Sequence, residues 1–250
     1  MLLAHALDLR RLDLYLQFER VLGEPELDAY RSLIGRRGAG EPVAYLVGRK
    51  EFMKLDFEVT PDVLVPNPDT EVLVLRAIAL ARERGRSLRV ADVGTGSGCI
   101  AVALAHYVPE LELWASDDDP AALAVARRNL ATHGLDSRAT LVEGDLLEPL
   151  PSALDLICAN LPYLAQGNQL PPEVVAQPGH ALFAAEGGSA LIRRMLRQAP
   201  GHLSAGGTVL LELDSAVADA VAEELTPYAT HRLHRDLQGQ VRVLEASVAG

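Results

Sequence analysis

From the start of the chain to about residue 38 the apolar positions keep a helical period. Leu12, Tyr15, Leu16 and Leu22 fall into one run, and Leu27, Tyr30, Leu33 and Ile34 into a second. Gly35, Gly38 and Gly40, with Pro42 just beyond, predict the end of the second helix. Glu51 to Val59 then alternates toward Phe57 and Val59, which predicts a strand or hairpin. From about residue 70 helix and strand patterns take turns. Asp69 and Thr70 can cap a helix running to Arg84, with Gly85 ending it. Strands are predicted at Leu88–Val93, Leu111–Ser116, Thr140–Val142, Leu154–Ala159 and Thr208–Leu213. Helices are predicted at Ser97–Tyr107, Pro120–His133, Gly187–Gln198 and Ser215–Leu225. His231–Arg235 and Val241–Val248, around Leu237-Gln238-Gly239-Gln240, read as a closing antiparallel hairpin. The alternation predicts an α/β fold, a seven-stranded, doubly wound and mostly parallel sheet with helices on both faces. Three parts are expected: a helical domain over 1–48, a β-hairpin linker over 49–65, and the sheet domain over 66–250.

A chain that is 49% hydrophobic and 23% charged has material for a sizeable core, which excludes a disordered tail, a collagen or a disulfide mini-protein. The longest apolar run, Val72 to Ala81, is cut by Arg76 and falls short of a membrane helix. Met1-Leu2-Leu3-Ala4-His5 lacks a basic region and a cleavage site, so a cytoplasmic protein is expected. Cys99 and Cys158 show no metal-ligand spacing, and they read as small buried residues; no metal is expected. Thirty-four acids against 23 bases give a net charge of -11. Nine Lys/Arg and eight Asp/Glu lie in residues 1–54, which leaves 14 bases and 26 acids, a net of -12, in the remainder. So acidic a body points to a basic protein segment as partner rather than to a phosphate backbone.

The first strand of the sheet ends in Asp92-Val93-Gly94-Thr95-Gly96-Ser97-Gly98 and runs into an apolar helix. Alternate glycines let the backbone turn sharply and approach a ligand, and the helix start offers free N–H groups. The spacing is GxGxG, not the GxGxxG that seats a dinucleotide pyrophosphate. Asp117, at the end of the next strand, is placed to accept hydrogen bonds from ribose hydroxyls. Asp92 can face the ammonium of a zwitterionic amino acid. Together these suit S-adenosyl-L-methionine better than NAD. Beyond the third strand, Asp145 can accept an adenine amino group while Leu146 covers the ring.

The fourth strand runs into Asn160-Leu161-Pro162-Tyr163, a device for gripping a planar NH2 group. The Asn160 amide oxygen can accept one N–H and the Leu161 carbonyl the other, Pro162 fixes the turn, and Tyr163 can lie on the flat face. An amide nitrogen is a poor nucleophile because its lone pair is delocalised. Holding both hydrogens with the nitrogen aimed at a methyl group supplies orientation and stabilises the developing positive charge.

On these residues the chain resembles the release factor glutamine methyltransferase family. The likeness extends to Glu41-Pro42-Val43-Ala44-Tyr45-Leu46, Glu51-Phe52, Val59-Thr60-Pro61, Pro66-Asn67-Pro68-Asp69-Thr70-Glu71 and Gly144-Asp145-Leu146-Leu147. The resemblance implies a Rossmann-like methyltransferase sheet and methylation of the glutamine in the Gly-Gly-Gln motif of peptide chain release factors, with S-adenosyl-L-homocysteine as product. It implies that Gly94 to Gly98, Asp117, Leu146 and Asn160 contact the cofactor, and that Asn160 to Tyr163 contact the glutamine. The helical domain becomes a substrate-recognition domain in a monomeric protein, shorter here than is usual. Leu161 stands where the family has Pro, and Asn67 where it has Arg. An Asn-Leu-Pro-Tyr tetrad also resembles rRNA adenine dimethyltransferases, so an adenine-type methyltransferase on nucleic acid is one alternative reading. Loss of activity, leaving a cofactor-binding interaction module, is another.

Overall fold

The computed structural model describes residues 1–85 and 87–250. Its N-terminal part is helical: α1 (Leu2–Ala6), α2 (Arg11–Leu16), α3 (Glu24–Gly38) and α4 (Val43–Val47). Pro25 stands in the first turn of α3, and the Glu26 side chain reaches back to the Gly23 amide at 2.9 Å. The helical period was a correct guide to these elements but not to their faces. Leu12, Tyr15, Leu16, Phe18 and Val21 are exposed, and the head is closed by Ala4, Ala44 and Leu46. The cause is geometric, since α2 is under two turns long and the head packs around α1, α3 and α4.

Next comes an antiparallel hairpin, β1 (Arg49–Phe52) and β2 (Leu55–Glu58). Met53 and Lys54 turn it with φ of 51° and 61°, the left-handed pair that matches strand twist in a two-residue loop. Phe52 and Phe57 point inward, edge to face with ring centres 6.1 Å apart. A fully buried side chain from the sheet domain fastens this hairpin. Asn129 Oδ1 accepts the Glu58 amide at 2.7 Å, while Asn129 Nδ2 donates to the carbonyls of Glu58 at 3.0 Å and Ser97 at 2.8 Å.

The remaining elements are α5 (Glu71–Arg84), β3 (Arg89–Val93), α6 (Cys99–Tyr107), β4 (Glu112–Asp117), α7 (Pro120–Thr132), β5 (Ala139–Glu143), β6 (Leu154–Ala159), α8 (Pro172–Val175), α9 (Ala190–His202), β7 (Leu203–Glu212), α10 (Ser215–Ala220), β8 (Thr230–Arg235) and β9 (Val241–Ser247). Among the described residues seven strands form one sheet in the order β5-β4-β3-β6-β7-β9-β8, with β9 antiparallel to both neighbours and the other pairings parallel. This is the expected doubly wound α/β sheet. Strand β6 is buried along its whole length. Leu156 and Cys158 join the core with α5 and α6, and Ile157 and Ala159 join the opposite core with Ile192 and Met195 of α9.

Three local expectations change. The turn before α5 is capped by Asn67, whose side chain accepts the Asp69 amide at 3.1 Å, while Thr70 is buried and engaged elsewhere. Strand β7 starts at Leu203, earlier than Thr208, and the helix expected over Ser215–Leu225 breaks at Val221 into a tighter turn. Segment 165–177 contains α8 and is tied down: Gln177 accepts the Val65 amide at 2.9 Å, and Glu173 pairs with Arg37 of the head at 3.1 Å. Among the described residues no helix is long and apolar enough to cross a membrane.

Asn129→Ala strands one buried and two part-buried backbone groups and is expected to destabilise the protein by about 2 kcal/mol, read as a lower denaturant midpoint at unchanged slope.

Candidate active site

The sheet reverses its direction of winding at β3, with β4 on one side and β6 on the other, and the carboxyl ends of these strands part to leave a crevice. The loop leaving β3 is held open from the β4 side. Gly94 and Thr95 amides both donate to the Ser116 carbonyl, at 2.8 and 2.9 Å, and the Gly96 amide donates to Asp117 Oδ2 at 2.8 Å. Gly98 ends the loop at φ +79°, where a Cβ would stand 3.2 Å from Cα of Ala126; glycine lets α6 pack on α7.

The crevice is partly enclosed and opens to solvent on one side. Its walls include the loop residues Gly94, Thr95, Gly96 and Ser97, and Asp117 at the tip of β4. Asp145 and Leu146 line the far side. Asn160, Leu161 and Pro162 close it from β6. Thus ten of the residues singled out in the sequence meet at one place, although the chain separates them by up to 68 positions.

Three others stand behind the wall. Asp92 is fully buried beneath the loop, where β3 is covered on both faces. Its Oδ2 accepts the Thr95 hydroxyl at 2.6 Å and the Ala101 amide at 3.1 Å, and its Oδ1 has no partner among the described residues. Burial pushes this carboxyl up to about 7, against the pull of Thr95 and the Ala101 amide. Gly98 serves the helix packing. Tyr163 was expected to lie on a substrate face; instead its ring packs into the core and its hydroxyl turns inward, 3.2 Å from Glu212 Oε1. An apolar body and a single donor make that inward contact its best satisfied position.

Electrostatics separates the remaining acids. Asp117 is partly buried, which raises its pKa, while the Gly96 and Asp119 amides favour its charge. Asp145 is half-exposed and pairs with Arg194 at 2.5 Å through Oδ2; among the described residues its other oxygen has no ion-pair partner. Leu146 takes φ +48° and is buried, with its carbonyl accepting Ser116 Oγ at 3.3 Å.

Two residues stand behind the site that the sequence did not place there. Thr70 and Glu212 are each 1% exposed, Thr70 against Asn160 and Glu212 against Tyr163. Asn160 Nδ2 donates to Thr70 Oγ1 at 3.0 Å. The only signal for Glu212 was its place as a carboxylate closing the apolar run Val209-Leu210-Leu211. Asn67, named only as a departure from the family pattern, also lines the crevice, as do Asp62 and His180.

Solved structures share this architecture. A methyltransferase from Pyrococcus furiosus aligns with a TM-score of 0.61 at 20% identity, covering 88% of this chain and 98% of its own. The T. thermophilus 16S rRNA N2 G1207 methyltransferase, solved with AdoMet and guanosine, aligns with a TM-score of 0.60 at 18% identity over 80% of this chain and 49% of its own. The fold is the Rossmann-like one these structures share, with the crevice at the switch point of the sheet. The family model of the PrmC N-terminal domain matches residues 1–48, and that of the methyltransferase small domain matches residues 70–185. The release factor glutamine methyltransferase of Rhodopirellula baltica is 38% identical over 259 residues, covering 99% of this chain and 88% of its own. That of Geobacter sulfurreducens is 42% identical over 224 residues, covering 88% of this chain and 77% of its own. The chain belongs to the release factor glutamine methyltransferase family.

The position of Tyr163 depends on a close approach. At Gly188, φ +96°, a Cβ would stand 2.0 Å from the Tyr163 carbonyl oxygen. Gly188→Ala must therefore shift the Asn160–Tyr163 turn, and methyl transfer is expected to fall on the order of 10²-fold while far-ultraviolet circular dichroism stays that of the folded protein.

Proposed function

We propose that this enzyme transfers a methyl group from S-adenosyl-L-methionine to the side-chain amide nitrogen of the glutamine in the Gly-Gly-Gln motif of peptide chain release factors. The observation that carries the reading is the Asn160 amide. Its nitrogen is committed to Thr70 at the back of the crevice, so its oxygen is the group left for an incoming amide.

The residues fit the donor. Asp117 keeps lone pairs beyond those used by Gly96 and Asp119, and these suit ribose hydroxyls. Asp92 does not line the crevice; it bears on the donor site by holding the loop through the Thr95 hydroxyl and the Ala101 amide. Asp145 and Leu146 suit an adenine amino group and ring. When bound, S-adenosyl-L-methionine supplies a methyl carbon on a sulfonium, which departs as the neutral thioether S-adenosyl-L-homocysteine.

The chain's own part is to hold the acceptor nitrogen. Asn160 Oδ1 accepts one glutamine N–H. The Leu161 carbonyl, which takes no backbone hydrogen bond among the described residues, accepts the other. Both acceptors draw electron density toward the nitrogen and stabilise the positive charge that builds there as its lone pair forms the new C–N bond. No strong base is required first, because the alkylated amide nitrogen is acidic and sheds its proton to water afterward.

Residues 1–48 serve in this reading as the substrate-recognition domain, 49–65 as the hairpin linker and 66–250 as the transferase domain. The enzyme works as a monomer in the cytoplasm. Its net charge of -12 beyond residue 54 favours a protein partner over a nucleic acid.

Label from S-adenosyl-L-methionine is expected on a purified release factor at the Gly-Gly-Gln glutamine, located by mass spectrometry, and not on a partner carrying Gln→Ala there; label elsewhere refutes the reading. Asn160→Ala is expected to lower transfer by at least about 10²-fold with donor affinity nearly unchanged. Asp117→Ala does the reverse: calorimetry is expected to show donor binding weaker by on the order of tenfold or more.

A further inference from the structure

One wall of the crevice is neither helix nor strand. Asp62, Val63, Leu64, Pro66 and Asn67 line it, in the irregular stretch between the hairpin and the turn before α5. A backbone segment of this kind keeps one shape only if something outside it engages its N–H and C=O groups. Two side chains do so. The Tyr45 hydroxyl, from α4 of the head, donates to the Val63 carbonyl at 2.6 Å. Gln177 Oε1, just beyond α8, accepts the Val65 amide at 2.9 Å. Among the described residues no other hydrogen bond reaches the backbone between the Val63 carbonyl and Pro66. Tyr45 and Gln177 themselves stand behind the wall, outside the lining of the crevice.

The two holding side chains are joined through the head. Gln177 Nε2 donates to the Glu173 carbonyl one turn earlier, at 3.1 Å, which leaves the amide oxygen for Val65. The Glu173 carboxylate pairs with Arg37 of α3 at 3.1 Å. At Gly40, φ +100°, a Cβ would stand 2.9 Å from Cβ of Pro172, so the turn after α3 is the seat on which α8 rests. Ala44 and Tyr45 of the head pack with Val63, Val65, Ala122 and Val125 in one apolar cluster, and Ala122 lines the crevice. Head, α8 and wall therefore close into a ring of direct contacts.

We propose that Tyr45 and Gln177 are positioning residues for the methyl donor: they hold the 62–67 wall in the shape that takes S-adenosyl-L-methionine, so that the helical head, which supplies the one and seats the other, sets donor affinity from behind the site. This rests on the reading above that the crevice holds the donor. With either bond gone the segment samples other shapes, and only the fraction in the fitting shape binds, so apparent affinity falls in proportion. The head thereby has a task in the transferase domain apart from any contact with the protein substrate.

The test measures binding of S-adenosyl-L-homocysteine to the full chain by calorimetry, thermal unfolding without ligand, and hydrogen exchange over residues 62–67 without ligand. Tyr45→Phe keeps the ring in its cluster and removes only the hydroxyl; Gln177→Met keeps the length of the side chain and removes the acceptor. Each is expected to weaken binding by about tenfold and to quicken exchange over 62–67. Gln177→Glu, which still offers an oxygen to the Val65 amide, is expected to bind within about twofold of the wild type. Tyr228→Phe is the matched control, because the Tyr228 hydroxyl makes the same kind of bond, to the Leu196 carbonyl at 2.8 Å, in the core. It is expected to lower the thermal midpoint as much as Tyr45→Phe does, with wild-type binding and wild-type exchange over 62–67. Wild-type affinity in either Tyr45→Phe or Gln177→Met, unchanged exchange in both, a loss in Gln177→Glu equal to that in Gln177→Met, or an equal loss of binding in Tyr228→Phe each overturn the proposal. Asp117→Ala separates the two levels of the argument. Weakened binding there with unchanged binding in Tyr45→Phe and Gln177→Met overturns the role of the head alone, whereas unchanged binding in Asp117→Ala refutes the placement of the donor in this crevice.

Discussion

Everything at this site hangs on the parting of strands around β3. Because the sheet winds one way toward β4 and the other way toward β6, no crossover covers the carboxyl ends of these strands. The backbone groups exposed there need partners, and β4 supplies them: one carbonyl, that of Ser116, takes two loop amides, and the Asp117 carboxylate takes a third. The glycine loop is therefore shaped by the end of the neighbouring strand as well as by its own glycines. The same Asp117 carboxylate that stiffens the loop lines the crevice, so the geometry of the loop and one wall of the crevice are carried by one side chain.

What could be read along the chain was what is contiguous at a strand end. Gly94 to Gly98, Asp117, Asp145 and Asn160 to Pro162 each follow directly on an apolar run, and a doubly wound sheet brings all strand ends to one edge. The supporting contacts were not legible, because they join residues far apart in sequence. Asn160 and Thr70 are separated by 90 positions, Tyr163 and Glu212 by 49, and Asn129 and Glu58 by 71. No local pattern marks Thr70 as anything but a helix cap, yet Asn67 performs the capping and leaves Thr70 free to turn inward. Burial was legible for strands but not for the head, where a correct helical period placed Leu12, Tyr15 and Leu16 on a face that nothing in the chain covers. Periodicity reports which residues share a face; only tertiary packing decides whether that face is inside.

The buried acids show what the site demands of the fold. Asp92, Asp117 and Glu212 all have raised pKa values with burial as the leading cause. For Asp92 and Glu212 the shift reaches about 7, well above the ordinary carboxylate range near 4. A raised folded-state pKa means that the proton is held more tightly folded than unfolded. The stability these groups contribute is fully present below about 4 and is lost as pH rises through about 7. Glu245 and Asp236 work oppositely, their pKa values lowered by the hydrogen bonds and charges of Arg76, His234 and Arg242 despite some desolvation. The active crevice is thus the part of the molecule that gives up stability at the pH where ionised acceptors are present, and the ion pairs on the sheet edge offset it.

Leu161 shows how such a turn tolerates change at its centre. A proline there would restrain φ covalently, whereas leucine leaves φ free and adds an N–H. In this chain the restraint comes from packing. Leu161 is buried in the core shared with Ala159 and Leu146, and its side chain lies against Gly94, where a Cβ would approach it to 3.0 Å. The absence of a side chain at Gly94 makes room for the leucine, and the leucine in turn fixes the turn that lines the crevice. Glycine loop and Asn160 turn are therefore fitted to each other across the crevice, and the identity of one limits the residues the other can carry.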